Sequence, residues 1–486
     1  MRPLSALLPG MELPCGGKGR CLKCRVRVTG AVSEPSAREK ALLTPDELAA
    51  GIRYACMAYA LGDVTVTPLS APAHGDVILT EGIARAIRPD PWGRAHGLAI
   101  DIGTTTVAAY LHRLKDGALL ATAVRRNPQA TFGADVTSRL DRAMAGEGGS
   151  LAKTIRNCVT ELLLNVCAQA KLPPQIVDCA VLTGNTSMLY LLTERPPASI
   201  ALAPFEADCL FGQFVPSETV GLPHWIKAYL PRCISAYVGA DINTALLAAG
   251  YDRPMEAPRL LLDIGTNGEM VLAVGERLLC CATAAGPAFE GAGISRGMPA
   301  RDGAIHRVWV ENGAPAYAVL GDATAQGLCG SGLLDLIAVL LDLGILDETG
   351  RLAIDPYTLP GTAISLTQAD VRAVQLAKAA IAAGVDALLH AAGLTPADVA
   401  AVDIAGGFGS HLSPRSAARI GLIPPELSDK ARAIGNAAGA GAGLLLQSRA
   451  LLKESESLPA CADVIPLAID PYFMEQFVER MGFDGA

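Results

Sequence analysis

Apolar and polar positions follow two regimes along this chain, and the change between them marks out its parts. Near the start, Arg25-Val26-Arg27-Val28 alternates with a period of two, which predicts a half-buried strand, and Val64 to Val66 reads as a closing strand. Pro68, Pro72, His74 and Gly75 then break the pattern and predict an exit from a first unit near residue 70. Up to Arg94, Pro89, Asp90, Pro91 and Gly93 leave little periodicity, so a connector with at most a short helix is expected. At Gly97 continuous apolar runs begin. Leu98-Ala99-Ile100 leads into Asp101-Ile102-Gly103-Thr104-Thr105-Thr106 and then Val107-Ala108-Ala109-Tyr110-Leu111, which reads as strand, Gly/Thr turn, strand. The same unit recurs as Arg259-Leu260-Leu261-Leu262, Asp263-Ile264-Gly265-Thr266-Asn267-Gly268 and Glu269-Met270-Val271-Leu272. Further on, the strand Val402-Asp403-Ile404 runs into Ala405-Gly406-Gly407-Phe408-Gly409-Ser410. Helices are predicted from Leu333 to Leu341, across Ala377 to Ala383, and over the small residues from Ala433 to Gly443.

Internal duplication at this scale implies two similar lobes facing each other. The reading divides the chain into a first unit, 1–70, a linker, 71–96, a first lobe, 97–250, and a second lobe, 251–486. Length and composition agree: 486 residues with 51% apolar side chains suffice for several buried cores. A net charge of -8 without lysine-rich runs argues against nucleic acid as a partner. The first residues carry too short an apolar stretch for a secretory signal, and no run reads as membrane-spanning, so a cytoplasmic protein with no membrane partner is expected.

Twelve of the thirteen cysteines divide into two kinds. Cys158, Cys167, Cys179, Cys209, Cys233, Cys280, Cys281 and Cys461 sit singly in apolar surroundings and read as buried small hydrophobes. Cys15, Cys21 and Cys24 instead lie in a glycine-rich loop, Pro14-Cys15-Gly16-Gly17-Lys18-Gly19-Arg20-Cys21-Leu22-Lys23-Cys24, with Cys56 following at a distance. Glycines let backbone N–H groups approach cluster sulfurs, and five residues, then two, then a distant fourth cysteine is close to the plant-type [2Fe–2S] spacing. Structural zinc is the competing reading. It usually takes two paired sets of ligands, whereas Cys56 in Tyr54-Ala55-Cys56-Met57-Ala58 has no cysteine beside it.

The Gly/Thr turns point to phosphate chemistry. Their backbone donors and hydroxyls can hold phosphates, and an Asp ending the first strand can hold hydrated Mg²⁺. Gly406, Gly407 and Gly409 clear side chains from a place where a base or ribose can pass the backbone, with Asp403 on the strand behind. Cys329, in Gly327-Leu328-Cys329-Gly330-Ser331-Gly332, either opens a helix or approaches a redox partner, and the helix-opening turn is favoured. The seven histidines form no metal-like pair; His306 and His411 read as structural or solvated.

The order hairpin, hairpin, glycine-rich loop and small-residue helix resembles the acetate and sugar kinase/Hsp70/actin superfamily, two-lobed α/β ATPases with ribonuclease-H-like lobes. More closely, the chain is similar to the reductive activators of corrinoid proteins, which join a small α+β ferredoxin-like domain to such an ATPase. The stretches that carry this likeness include Asn127-Pro128-Gln129, Gly133-Ala134-Asp135-Val136, Thr183-Gly184-Asn185-Thr186 and Gly239-Ala240-Asp241. Gly286-Pro287-Ala288-Phe289-Glu290-Gly291, Cys329-Gly330-Ser331-Gly332 and Ala405-Gly406-Gly407-Phe408-Gly409 extend it over nearly the whole chain. Fourteen residues precede Cys15, so Leu4 to Leu13 are expected to supply little more than the helix of a shortened ferredoxin-like domain. The connector is likewise shorter than in well-developed members.

The resemblance implies ATP-dependent one-electron reduction of a Co(II) corrinoid to Co(I) on a partner protein of a methyltransferase system, fed by a low-potential electron donor. It implies a [2Fe–2S] cluster on Cys15, Cys21, Cys24 and Cys56, together with ATP and Mg²⁺. Asp101 and Asp263 fall in the two acidic turns, and Gly103 to Thr106, Gly184, Asn185 and Gly265 to Gly268 in the phosphate motifs. Gly406 to Gly409 fall in the adenosine motif. Glu269 is the candidate for positioning water, against the alternative of a surface residue on the second hairpin. The likeness also points to a homodimer. Two other readings stand beside it: a small-molecule kinase or ATPase of the same superfamily in which the cluster is regulatory or vestigial, and a simple electron carrier.

Overall fold

The computed structural model describes residues 2–8, 11, 13, 17, 19, 24–69, 82–409 and 412–483. Cys15, Cys21, Ser410, His411 and most of the first half of the connector lie outside the described residues. The side chains of Phe408 and Gly409 do as well.

Two six-stranded sheets carry the molecule, and five strands of each repeat one plan. In the first lobe the order is Leu119–Arg126, Thr106–Arg113, His96–Ile102, Val177–Gly184, Lys227–Leu230. Neighbours along it pair antiparallel, antiparallel, parallel and parallel. The second lobe orders Arg277–Thr283, Gly268–Gly275, Met255–Ile264, Ala401–Ala405, Ala431–Gly435 with the same four senses. The sixth strands differ: Gln213–Val215 lies antiparallel beside Lys227–Leu230, and Ala462–Val464 lies parallel at the opposite edge, beside Arg277–Thr283.

The continuous apolar runs follow from this plan, because the central strands are covered on both faces. Leu98, Ile100 and Ile102 enter one core while Ala99 enters another, as the two-residue period of a strand requires. In the second lobe Leu260, Leu262 and Ile264 face outward and Leu261 faces inward in the same way. The inward faces and two helices, Ala240–Ala249 and Ala437–Gln447, share the core between the lobes. These helices cross so closely that a Cβ on Gly441 would stand 1.9 Å from the Thr244 carbonyl oxygen. The small-residue stretch is thus a close helix crossing, as its composition suggests, but it starts later than expected. Ala431–Gly435 is the fifth strand, and the helix begins only after Asn436, whose side chain caps it by accepting from Gly439 N at 2.7 Å. Small side chains fit strand and helix alike, and strand pairing with Val402–Ala405 decides here.

The alanine-rich segment lies within the core helix Gln368–Ala392. This helix is long and apolar enough to cross a membrane, but 83% of its most apolar window is buried inside the second lobe, which marks it as a core helix. Cys158, Cys167, Cys179, Cys233, Cys280 and Cys281 are buried, whereas Cys209 is half-buried and Cys461 exposed. Cys461 ends a short helical turn beside the edge strand Ala462–Val464, where nothing covers it.

The first unit is a four-stranded antiparallel sheet, Arg2–Pro3, Tyr59–Pro68, Arg25–Val32, Ile52–Tyr54, with two short helices, Ala37–Leu42 and Pro45–Ala49. Leu4–Leu7 forms one helical turn. Glu39, fully buried, closes a capping box with Ser36 and receives Arg53 through Nε at 3.0 Å and Nη2 at 2.9 Å. Burial pushes the Glu39 carboxyl up, but the Arg53 guanidinium and the Ser36 and Tyr54 amides outweigh it and hold the group below its usual range. This pair fixes the strand that delivers Cys56. E39Q, which leaves the Arg53 charge buried and unmatched, is expected to destabilise the unit by about 3 kcal/mol, whereas Met at both positions costs far less. Hydrogen exchange at Ile52–Tyr54 checks this. The contribution is intact at neutral pH and is lost as pH falls below the glutamate range.

Residues 82–95 of the connector contain no helix and do not run free. Ile83 N donates to Ile434 O at 2.9 Å, Arg85 pairs with Asp252 at 2.6 Å, and Trp92 Nε1 donates to Leu445 O at 2.9 Å. Arg85 N also donates to Ala248 O at 3.1 Å, so backbone and side-chain groups scattered without period hold this segment against both crossing helices.

Candidate active site: two acidic hairpins facing across a cleft

The turn of each hairpin lies where its sheet meets the cleft between the lobes. In the first, Gly103 N donates to Thr106 O at 2.9 Å, Asn127 Nδ2 to Gly103 O at 2.8 Å, and Arg139 Nη2 to Thr104 O at 2.7 Å. Asn127 and Arg139 are buried behind the turn, so its carbonyls are satisfied from the back. Burial lowers Arg139 to about 10, still charged at neutral pH. Asn185, from the strand end after Gly184, donates to Thr104 Oγ1 at 3.3 Å. In the second turn Gly265 N donates to Asn267 O at 3.0 Å, and Thr266 O accepts from Gly286 N at 2.9 Å.

Five carboxyl groups line the space between the turns: Asp101, Asp263 and Glu269 from the hairpins, Asp241 from the first turn of Ala240–Ala249, and Glu290. Asn436 donates to Asp101 Oδ2 at 2.8 Å. Burial raises Asp101 to about 6; burial and the Asp101 charge raise Asp263 to about 7. Burial, with the charges of Asp263 and Asp101, raises Asp241 to about 8, and Glu269 is pushed well up by burial and by Asp241 and Asp263. Glu269 is 7% exposed, so it is not a surface residue of the hairpin. Mutual repulsion of this kind is relieved by a cation. Among the described residues no three such side chains close on one point as a metal cage.

Of the residues singled out from sequence, Asp101, Gly103, Thr104, Thr105, Thr106, Asn185, Asp263, Gly265, Thr266, Asn267, Glu269, Gly406 and Gly407 all line this cleft. Gly184 and Gly268 do not; each is a strand residue beside it, Gly184 set against Ile102 and Gly268 opposite Ile264 and against Ile381. Gly406, at φ +90°, lies so close to Asp263 that a Cβ would stand 2.7 Å from Oδ1. Behind it Asp403, fully buried, is held by Tyr251 at 2.9 Å, Arg259 at 2.5 Å and Arg432 at 2.6 Å. Cys329 stands at the N-cap position of the helix Gly330–Asp342, its thiol turned to Ile305 O at 3.3 Å, and also borders the cleft. Sequence reasoning passed over Asp241, Glu290, Asn436 and Arg126, all of which line it. The first two stood inside motifs already noted, Gly239-Ala240-Asp241 and Gly286 to Gly291, and an acidic residue in a glycine-bounded motif was the available signal.

In the first unit, Cys24 and Cys56 come from different segments yet place their Sγ atoms 3.3 Å apart. The hydrogen bond between them lowers Cys24 to about 6.

Duplicated ribonuclease-H-like sheets with an acidic hairpin on each side of a cleft define an ATPase fold of the acetate and sugar kinase/Hsp70/actin class. Comparison with known proteins narrows this. The RACo middle region matches residues 96–254, and the C-terminal ASKHA domain of RACo matches residues 257–485. The corrinoid activation enzyme RamQ of Eubacterium limosum is 35% identical over 422 residues, covering 80% of this chain and 70% of that protein. A Co(II) methylated amine-specific corrinoid protein reductase of Methanosarcina barkeri is 26% identical over 362 residues, 68% of this chain and 66% of its own length. The solved structure of a reductive activator for corrinoid, iron–sulfur protein superposes with a TM-score of 0.73 at 29% identity, covering 96% of this chain and 92% of that one. The chain belongs to the RACo family of reductive activators of corrinoid proteins.

Proposed function

We propose that this protein restores a corrinoid protein to its methyl-accepting form, passing one electron to an inactive Co(II) corrinoid and using ATP to make that uphill step run. The carrying observation is the pair of facing acidic hairpins in a chain that also brings two cysteines of a first unit together. The names of its relatives, a corrinoid activation enzyme and a corrinoid protein reductase, support the same reading.

The residues present fit the groups this activity needs. Asp101, with Asp263 facing it, would hold hydrated Mg²⁺, which would supply positive charge to the phosphates. Cys24 and Cys56 fit two ligands of an iron–sulfur cluster, which we assign as [2Fe–2S] with Cys15 and Cys21 completing the set; when bound it supplies single electrons. Hydroxyls and amides of Thr104 to Thr106 and Thr266 to Gly268 take the phosphates. The Gly406 to Gly409 turn takes the adenosine, and Glu269 orients the attacking water. Asn436 keeps Asp101 turned into the cleft.

The electron comes from a low-potential donor and converts Co(II) to Co(I), the nucleophile that accepts a methyl group. For one electron a tenfold bias is about 59 mV, so a ~10⁴-fold nucleotide-dependent difference in affinity for the two partner states corresponds to roughly 240 mV, about 5.5 kcal/mol. The lobes supply it by binding the corrinoid protein differently in different nucleotide states. A methyltransferase system as the source of that partner, a homodimer and a cytoplasmic setting belong to the same reading.

The test is ATP turnover under a low-potential reductant, with and without a Co(II) corrinoid protein. Stimulation of about tenfold, with Co(I) absorbance appearing only when ATP is present, is expected. Turnover indifferent to the corrinoid protein but dependent on a small phosphate acceptor would establish a kinase instead.

A further inference from the structure

Glu290 ends the short helical turn Pro287–Glu290, which follows the strand Arg277–Thr283 of the second lobe. Its two carboxylate oxygens go to opposite sides of the cleft. Thr105 Oγ1 of the first turn donates to Oε2 at 2.6 Å, and Thr266 Oγ1 of the second turn donates to Oε1 at 2.9 Å. These are hydroxyls of the two turns that face each other across the acidic cleft. A hydroxyl has one proton to donate, so neither threonine can serve Glu290 and a phosphate oxygen at once. The carboxylate also carries the same sign of charge as a phosphate and would stand beside it.

We propose that Glu290 is a built-in anion at the phosphate position, a positioning residue that bridges the two hairpins and that the nucleotide's phosphates must displace. This rests on the reading of the cleft as an ATP site. Displacement has a mechanical consequence. The turn bearing Glu290 is bounded by Gly286 and Gly291, both at positive φ, and is tied to the second hairpin through Gly286 N and Thr266 O at 2.9 Å. When phosphate takes the hydroxyls, Glu290 leaves both and its turn loses its tie to the first hairpin. Phosphate occupancy is thereby converted into a change at a segment distinct from the adenosine turn. The apparent affinity for a phosphate-bearing nucleotide is then set by the fraction of molecules in which Glu290 is disengaged.

The experiment compares binding of AMP-PNP with Mg²⁺, and of adenosine, to the full chain and to E290Q, which keeps the shape but loses the charge. Expected is AMP-PNP binding about tenfold tighter in E290Q with adenosine unchanged, the ratio a competitor of the phosphates alone produces. Hydrogen exchange on the unaltered protein supplies a second readout that needs no variant. AMP-PNP should lower the protection of amides in residues 286–297, and adenosine should not. AMP-PNP binding equal or weaker in a folded E290Q, or higher protection of 286–297 with AMP-PNP, would overturn the proposal. An unaltered protein that binds neither nucleotide nor adenosine removes the ATP reading and this proposal together. If it binds both while E290Q shows no gain, only the proposal fails.

Discussion

D263N is expected to slow ATP hydrolysis by about 10²–10³-fold while making the protein more stable to heat. Loss of a preorganised charge at a phosphoryl-transfer site costs about this much. The gain in stability comes from the same geometry. Asp263 is pushed up to about 7 by burial and by Asp101, and it in turn raises Asp241 and Glu269. A carboxyl raised in the folded state contributes most below its unfolded value, and that contribution is lost as pH rises through the folded value. At pH 8 Asp263 therefore carries its charge at a cost, and Asn removes it. A scan of melting temperature at pH 8 without metal, beside a phosphate-release assay, reads both effects. Faster melting with lost activity would mean that Asp263 is a structural partner within the hairpin and that the carboxylates do not repel.

The two hairpins were legible in the sequence because their strands are buried on both faces. Leu98 to Ile100 and Leu260 to Leu262 then have no polar side to disguise them, and the acidic Gly/Thr turns stand out after these apolar runs. Duplication added what one copy lacks, and the strand senses of the two sheets repeat it. Partners brought in from a distance were not legible. Asp241 reaches the cleft because the helix from Ala240 starts there, Asn436 because the fifth strand of the second sheet ends there, and neither fact is local to those residues. Glu290 reads locally as one acidic residue in a loop; its meaning lies in bonds to Thr105 and Thr266, 185 and 24 positions away. The start of the small-residue helix failed for a different reason. Alanine and glycine carry no hydrophobic period, so nothing local separates strand Ala431–Gly435 from helix Ala437–Gln447 until Asn436 caps the latter.

The connector shows the same limit. Its aperiodic sequence reads as a spacer, yet residues 83 to 92 are hydrogen-bonded to the helices and the strand that join the lobes. Arg85 N reaches Ala248 O on one crossing helix, and Trp92 Nε1 reaches Leu445 O on the other. The described part of the connector is thus anchored on both crossing helices.

C56A is expected to separate the two halves of the activity. Cys56 lies in the turn after Ile52–Tyr54, and its Sγ is 3.3 Å from Cys24 Sγ, so removing it deletes one of the two thiols that the fold brings together. Four thiolates hold a [2Fe–2S] cluster, and a methyl group offers iron no lone pair, so iron content should fall from about two per chain to near zero. The lobes do not depend on that thiol. Their cores contain no residue of the first unit, and the carboxylates of the cleft lie on other strands. Reduction of Co(II) corrinoid should therefore drop at least about 10³-fold while basal ATP turnover stays within about twofold. Iron and sulfide analysis, the EPR spectrum after dithionite and the two rates measured on one preparation check it. A variant that keeps two irons and the spectrum of the unaltered protein would remove Cys56 from the ligand set. A variant that loses iron yet still reduces the corrinoid would place the electron path outside the first unit, leaving the lobes as an activator served by another redox protein.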